Sequence, residues 1–192
     1  SVGHDQRKCK SALMFYHSPD SLPTFINDFY VSLMEETPKE TRWVFHEDNS
    51  IPFVNFVDMP YTPWSDNKYY PIFGVPSPLL MSWPDLYFHT DYLTADNLDA
   101  AVFRRCGITT ALAALELAYA GPSEALSIMR QVGIRSQMRL TSIALGVYDA
   151  SDVGRVKKRL INLGNRDKLA IESTLGLVDS NELNAHPELI DA

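Results

Sequence analysis

The chain is poor in cysteine, in basic residues and in long apolar runs, and each shortage removes a class of protein. Only Cys9 and Cys106 occur among 192 residues. Two cysteines cannot form the multi-bridge framework of a small secreted domain, so they are read as two buried thiols, with one Cys9–Cys106 pair as the alternative. Lys and Arg number 17 against 24 Asp and Glu, a formal net charge of -7, which argues against nucleic acid as an electrostatically held partner. No apolar stretch reaches the roughly 18–20 residues that span a bilayer, so no membrane span is expected. The N-terminus shows no signal-peptide pattern, and internal repeats and low-complexity tracts are missing. What remains is ordinary globular material, 45% hydrophobic and 21% charged, enough for one α/β unit with a helical part appended.

Apolar periodicity then orders the chain. Ser11–His17 reads as a strand, closed by Ser18-Pro19-Asp20-Ser21. A helix over Leu22–Glu36 follows, with Ser21 as cap and Pro23 in the first turn, where its missing N–H does no harm. Phe25, Ile26, Phe29, Tyr30, Leu33 and Met34 recur at helical spacing on it. Thr37-Pro38-Lys39-Glu40 is expected to end that helix. Arg42–His46 and Pro52–Val57 are further strand candidates. Between Asp58 and Phe73, Tyr61, Trp64, Tyr69 and Tyr70 interleave with Pro60, Pro63 and Pro71. Proline blocks regular ladders, so this is an ordered surface loop whose aromatics either pin it to the core or line a side-chain pocket.

The stretch Trp83–Asp99 joins a short strand, Val75–Trp83, expected to be buried on both faces, to a helix over Leu98–Ala120, expected to be apolar nearly all round and largely buried. Asp96 or Asn97 can cap that helix, with Asp99 in its first turn. His89 thus sits on a loop leaving a core strand, where α/β proteins place binding and catalytic groups. By itself a lone loop histidine is more often hydrogen-bonded or solvated. Asp85 reads as a turn residue after Pro84, and Asp91 as a loop-shaping group or an acceptor for the imidazole N–H. His17, at its strand end, reads as a hydrogen-bonding residue. Beyond Gly121-Pro122-Ser123, a helix to about residue 148 is expected to be kinked near Gly133. A basic helix from Asp152 to Leu163, capped by Ser151, ends at Gly164. A last helix spans Lys168–Val178 and leads to a polar tail.

The run Tyr87-Phe88-His89-Thr90-Asp91-Tyr92-Leu93-Thr94-Ala95-Asp96-Asn97-Leu98-Asp99 resembles the late motif of the M28 family of zinc peptidases, in which the histidine after the aromatic residue is a ligand of a two-zinc site. Trp64–Ser77 is similar to the family's Ser-Asp-His block and its following Gly-Val-Pro turn, with Asn67 in place of the histidine. Val2–Lys8 looks like the continuation of the family's Asn-x-Asp-Met strand. The resemblance spans roughly residues 2 to 120 and implies the C-terminal portion of a three-layer α/β/α zinc-exopeptidase domain, with 1–121 in that domain and 122–192 as a C-terminal helical region. It implies zinc as cofactor, two ions in the parent protein, held here only by His89. Asp66 and Asp91 fall beside the site, and Tyr61, Trp64 and Tyr87 are candidates for a substrate pocket. Tyr87 is not given the family's oxyanion role, because in an extended backbone it points away from the His89 side. Catalytic residues of the family fall before Ser1, so the chain alone is expected to be inactive, with a peptide as the parent's substrate. Aminopeptidase activity is the first expectation. The alternative is a non-catalytic interaction module on the same scaffold. A sheet cut at this point exposes an edge, so a homo-oligomer through that edge or through the helical region is also expected.

Overall fold

The computed structural model describes residues 2–41, 54–146 and 153–190, the side chains of residues 38–41, 184 and 188 excepted. It is mixed α/β, mostly helical, with a small three-stranded sheet. Contacts divide the chain into two compact units, Ser1–Pro19 with Tyr30–Leu115, and Asp20–Phe29 with Glu116–Ala192.

In the first unit, β1 (Ala12–Tyr16) is the central strand. It pairs in parallel with β2 (Phe56–Met59), Leu13 opposite Phe56, and antiparallel with β3 (Leu79–Trp83), Met14 opposite Met81. A central strand is covered on both faces, which explains a run of five apolar residues with no polar alternation. Leu13, Phe15 and Tyr16 are 0%, 1% and 2% exposed. β3 begins four residues later than Val75, because Pro76 and Pro78 supply no N–H to a ladder. Its neighbours Met81 and Ser82 point to opposite faces and are both buried. β2 starts at Phe56, and Pro52 and Phe53 of the expected strand lie outside the described residues. The expected strand Arg42–His46 lies outside the described residues.

The opening residues do not extend a strand. His4 makes one isolated bridge to Leu98, and Asp5 then caps a helical turn, α1 (Gln6–Cys9), its carboxylate accepting the Arg7 and Lys8 amides. Those amides hold the Asp5 carboxyl below the usual carboxylate range, the Lys8 N–H most of all.

Helix α2 (Ile26–Thr41) starts later and ends later than its sequence suggests. In the second unit, Thr24 Oγ1 accepts the Ile26 N–H at 3.3 Å and Ser173 Oγ accepts the Phe25 N–H at 2.9 Å. The free amides of the helix start are therefore met there and not by Ser21. In the first unit, Tyr30 stacks on Phe15 with ring centroids 4.7 Å apart, and the helix passes straight through Pro38. Proline has no N–H for the Met34 carbonyl four residues back. Arg105 fills that gap, its Nη2 donating to Met34 O at 2.6 Å.

Helix α3 (Ala100–Ala118) is capped by Asp99, whose carboxylate accepts the Ala101 N–H at 2.7 Å. Asp96 and Asn97 belong instead to a separate 3-10 turn, Ala95–Asn97. Only one stripe of α3, Val102, Cys106, Thr109 and Ala113, is buried, while Phe103 and Leu115 are more than half exposed. Alanine-rich composition gave a false impression of all-round burial: small residues tolerate solvent as well as a core. Hydrogen bonds Thr37–Thr109 (2.9 Å) and Tyr30–Thr110 (2.8 Å) tie α2 to α3. Both cysteines are free and buried.

The second unit is built on α4 (Pro122–Leu145) and α5 (Val153–Glu172). Pro122 opens α4, and Glu124 accepts the Gly121 N–H at 3.0 Å. The helix runs unbroken through Gly133, and α5 runs unbroken through Gly164, merging the two helices expected there. Ala125, Ile128, Met129 and Val132 form the buried stripe of α4. The tail is not a loose polar segment: a 3-10 turn (Ser173–Leu177), α6 (Ser180–Ala185) and a turn at Pro187–Leu189 bring Val178 and Leu189 onto Ala125. The same unit holds a charge cluster. Arg139 pairs with Asp28 and, at 3.1 Å, with Asp167, while Arg166 bridges Asp167 at 2.6 Å and Asp20 at 2.8 Å. Among the described residues, no helix is long and apolar enough to cross a membrane.

Candidate functional site

The loop leaving β3 is a chain of tight turns. Asp85 Oδ1 accepts the Tyr87 N–H at 2.9 Å, the Phe88 N–H reaches Asp85 O at 3.2 Å, and Thr90 donates from both N–H and Oγ1 to Tyr87 O. The Trp83-Pro84 peptide is cis. At the tip, His89 is exposed and has φ 60°, left-handed space where a residue with a Cβ loses roughly 1–2 kcal/mol. Its ring lies against Phe88 with centroids 4.0 Å apart and makes no hydrogen bond among the described residues.

An aromatic chain leads from the proline-rich loop to this tip. Trp64 packs on Trp83 (5.7 Å), Trp83 meets Phe88 edge-on (5.6 Å), and Phe88 carries His89. The loop therefore does approach the strand end, with two 3-10 turns, Asp66–Lys68 and Tyr70–Phe73, giving it shape. Asn67 is its clasp: 4% exposed, it accepts the Ser65 N–H and donates to Thr62 O, each at 3.0 Å. The position where the family resemblance places a histidine is here a loop-closing amide.

The other candidates fall as follows. Asp66 and Asp91 are exposed, and neither is hydrogen-bonded to His89. Tyr87 packs against Tyr92 at 5.8 Å, Tyr61 is half-buried, and no ring contact joins Tyr61, Trp64 and Tyr87 to one another. The described carboxylates, thiols and imidazoles gather as possible metal donors only at His4, Cys9 and Asp85. His89 thus has no companion ligands among the described residues and cannot hold a zinc ion by itself. His17, as expected, is hydrogen-bonded, to Asp58 Oδ1 at 2.5 Å.

The His4–Cys9–Asp85 cluster escaped the sequence. His4 Nδ1 bonds Asp85 Oδ2, and the Cys9 thiol donates to the Asn97 carbonyl oxygen at 4.0 Å. All three residues are buried, and their ligand atoms lie within 4.8 Å of one another. Burial, then the charges of Asp85 and Asp5, push the Cys9 thiol upward. That is the reverse of what a nucleophilic cysteine needs, and the imidazole is bonded to the carboxylate while the thiol is bonded to Asn97 O, so this is no catalytic triad. Backbone bonds frame it on several sides: Asp5 N–H to Asn97 O (2.8 Å), Asp99 N–H to Gly3 O (2.8 Å) and Leu86 N–H to Cys9 O (3.1 Å). The sequence carries no signal for it, since Asp85 reads there as a turn residue after Pro84 and Cys9 as a buried thiol.

Comparison of the chain with family models, with curated proteins and with solved structures finds no match.

Proposed function

We propose that this chain is the C-terminal part of an M28-like zinc exopeptidase, an aminopeptidase first of all, in which His89 binds one of two zinc ions. The single observation behind the reading is His89 itself: an exposed imidazole, free of hydrogen bonds among the described residues, held in left-handed backbone by the turns that follow a sheet strand. A backbone conformation that costs energy is kept where the surrounding turns impose it, and functional positions are where such residues gather. The motif resemblance around His89 supplies the chemistry. Zinc held there, with His89 as one ligand, would supply an activated water for hydrolysis of a peptide bond. The carboxylate base, the bridging aspartate and the other ligands are assigned to residues N-terminal to Ser1, and this chain alone is inactive in the proposal. What it contributes is the imidazole, its aromatic backing through Phe88, Trp83 and Trp64, and part of the three-layer α/β/α framework of the parent.

The test is hydrolysis of an unblocked dipeptide and of its N-acetylated form by the parent protein, with and without chelator. The reading expects chelator-sensitive cleavage of the unblocked peptide, with His89→Ala reducing kcat/KM by about 100-fold or more. Activity indifferent to chelator, or unchanged in His89→Ala, would overturn it.

A second reading, a non-catalytic interaction module, is favoured by one observation. Ile72, Phe73 and Tyr92 are 77%, 81% and 68% exposed, in the loops flanking the same strand, and apolar surface of that kind marks docking sites. Self-association through these loops, a sheet edge or the helical region belongs to this reading. A parent that carries no hydrolysis yet forms a defined dimer, abolished by Phe73→Ser, would establish it instead.

A further inference from the structure

The geometry points to a mononuclear divalent-cation site at His4, Cys9 and Asp85, separate from His89 and independent of the peptidase reading. Three different donor types converge there, an imidazole nitrogen, a thiol sulfur and a carboxylate oxygen, all buried and all within 4.8 Å of one another. Tetrahedral zinc, with bonds of about 2.0–2.3 Å, sets its ligands roughly 3.3–3.8 Å apart, so an ion entering here replaces the His4–Asp85 hydrogen bond and draws the three donor atoms around itself. Nitrogen with sulfur selects zinc or cobalt over magnesium or calcium, which take oxygen donors. The carboxylate is already turned the right way, since Oδ1 is occupied by the Tyr87 N–H and Oδ2 faces His4.

Charge favours occupancy. A dication with one thiolate, one carboxylate and a neutral imidazole sums to zero, which matters for a site whose carboxylate side chain is 0% exposed. On binding, the Cys9 S–H bond breaks and its proton leaves to solvent. The imidazole proton moves from Nδ1 to Nε2 through solvent, and bonds from the ion to Sγ, Nδ1 and Oδ2 form. The ion would tie the N-terminal turn to the exit of β3, bracing the loop whose tip is His89. The site therefore has a structural role and no open face for substrate.

The experiment is titration of the reduced chain with cobalt(II), read by thiolate-to-cobalt charge-transfer absorption in the near ultraviolet and by d–d bands, with proton release followed in parallel. Expected are about one cobalt and about one proton per chain, displacement by zinc, loss of the charge-transfer band in Cys9→Ser and of tight binding in His4→Ala, and an unchanged spectrum in Cys106→Ser and His89→Ala. The Cys106→Ser arm assigns the thiolate even where His4→Ala does not fold. Absence of a charge-transfer band in the unaltered chain, or its survival in Cys9→Ser, overturns the proposal. Loss of cobalt in His89→Ala with Cys9→Ser unaffected would move the metal to His89, sinking this site while supporting the peptidase ligand.

Discussion

Arg105 and Met34 are joined by a hydrogen bond that a proline makes necessary. Pro38 leaves the Met34 carbonyl without its helical partner, and Arg105 Nη2 donates to it at 2.6 Å while Nη1 reaches Val54 O at 3.2 Å. The guanidinium is largely withdrawn from water, and that burial lowers its pKa. Arg105→Met is expected to cost about 1–3 kcal/mol, the penalty for orphaned buried carbonyls. In a Pro38→Ala background the restored amide takes over one acceptor, so the same substitution should cost less. Urea denaturation of the four proteins of that cycle measures the coupling. Equal costs in both backgrounds would show that Arg105 is not compensating for Pro38.

This pair also shows why the helix end was misplaced from sequence. Proline after Thr37 reads as a stop by local rules, and the residue that overrides it lies on α3. Gly164 inside α5 is the same kind of error, a punctuation mark outweighed by packing. β1 was legible because a central strand writes its burial as a continuous apolar run. The His89 loop was legible because prolines, a β-like run and an acidic helix start bound it. The His4–Asp85 contact was not, since its members stand 81 residues apart and each has an adequate local reading, Asp85 as a turn former and Cys9 as a buried thiol. Convergence of that kind is a property of the folded chain alone.

Asn67 makes a local prediction. Its buried amide serves both a donor and an acceptor of the proline-rich loop, so Asn67→Ala should cost about 1–3 kcal/mol. Because the bonds are confined to Thr62–Asn67, the loss should appear as faster hydrogen exchange at the Ser65 amide before any global change. Retained protection there would place the loop's stability elsewhere, in the Trp64–Trp83 contact.

Gly3 tests the frame around the buried cluster. It has φ +92°, and an added Cβ would stand 2.0 Å from Phe103 Cδ2. Gly3→Ala therefore combines a backbone cost of about 1–2 kcal/mol with a steric one. Phe103 is 53% exposed, so its ring can be removed with little lost packing. Phe103→Ala should rescue the steric part of Gly3→Ala and leave the backbone part. A double variant no more stable than Gly3→Ala would mean that the conformation alone sets the penalty.

Cys106 gives a pH dependence with a fixed sign. Burial raises its thiol from 9.0 to about 11, the nearby Arg105 charge opposing only part of the effect. A group whose pKa is higher in the folded than in the unfolded state contributes stability that is complete below the unfolded value and disappears as pH rises through the folded one. Stability should thus fall between pH 9 and about 11, and Cys106→Ala should lower the plateau near neutrality while flattening that alkaline limb. Tyr30, whose hydroxyl is also raised by burial, contributes a second descending component that the alanine variant retains. Chemical denaturation of both proteins at a series of alkaline pH values separates the two. Parallel curves with no change in slope would show that the Cys106 thiol ionises in the folded state as readily as in the unfolded one.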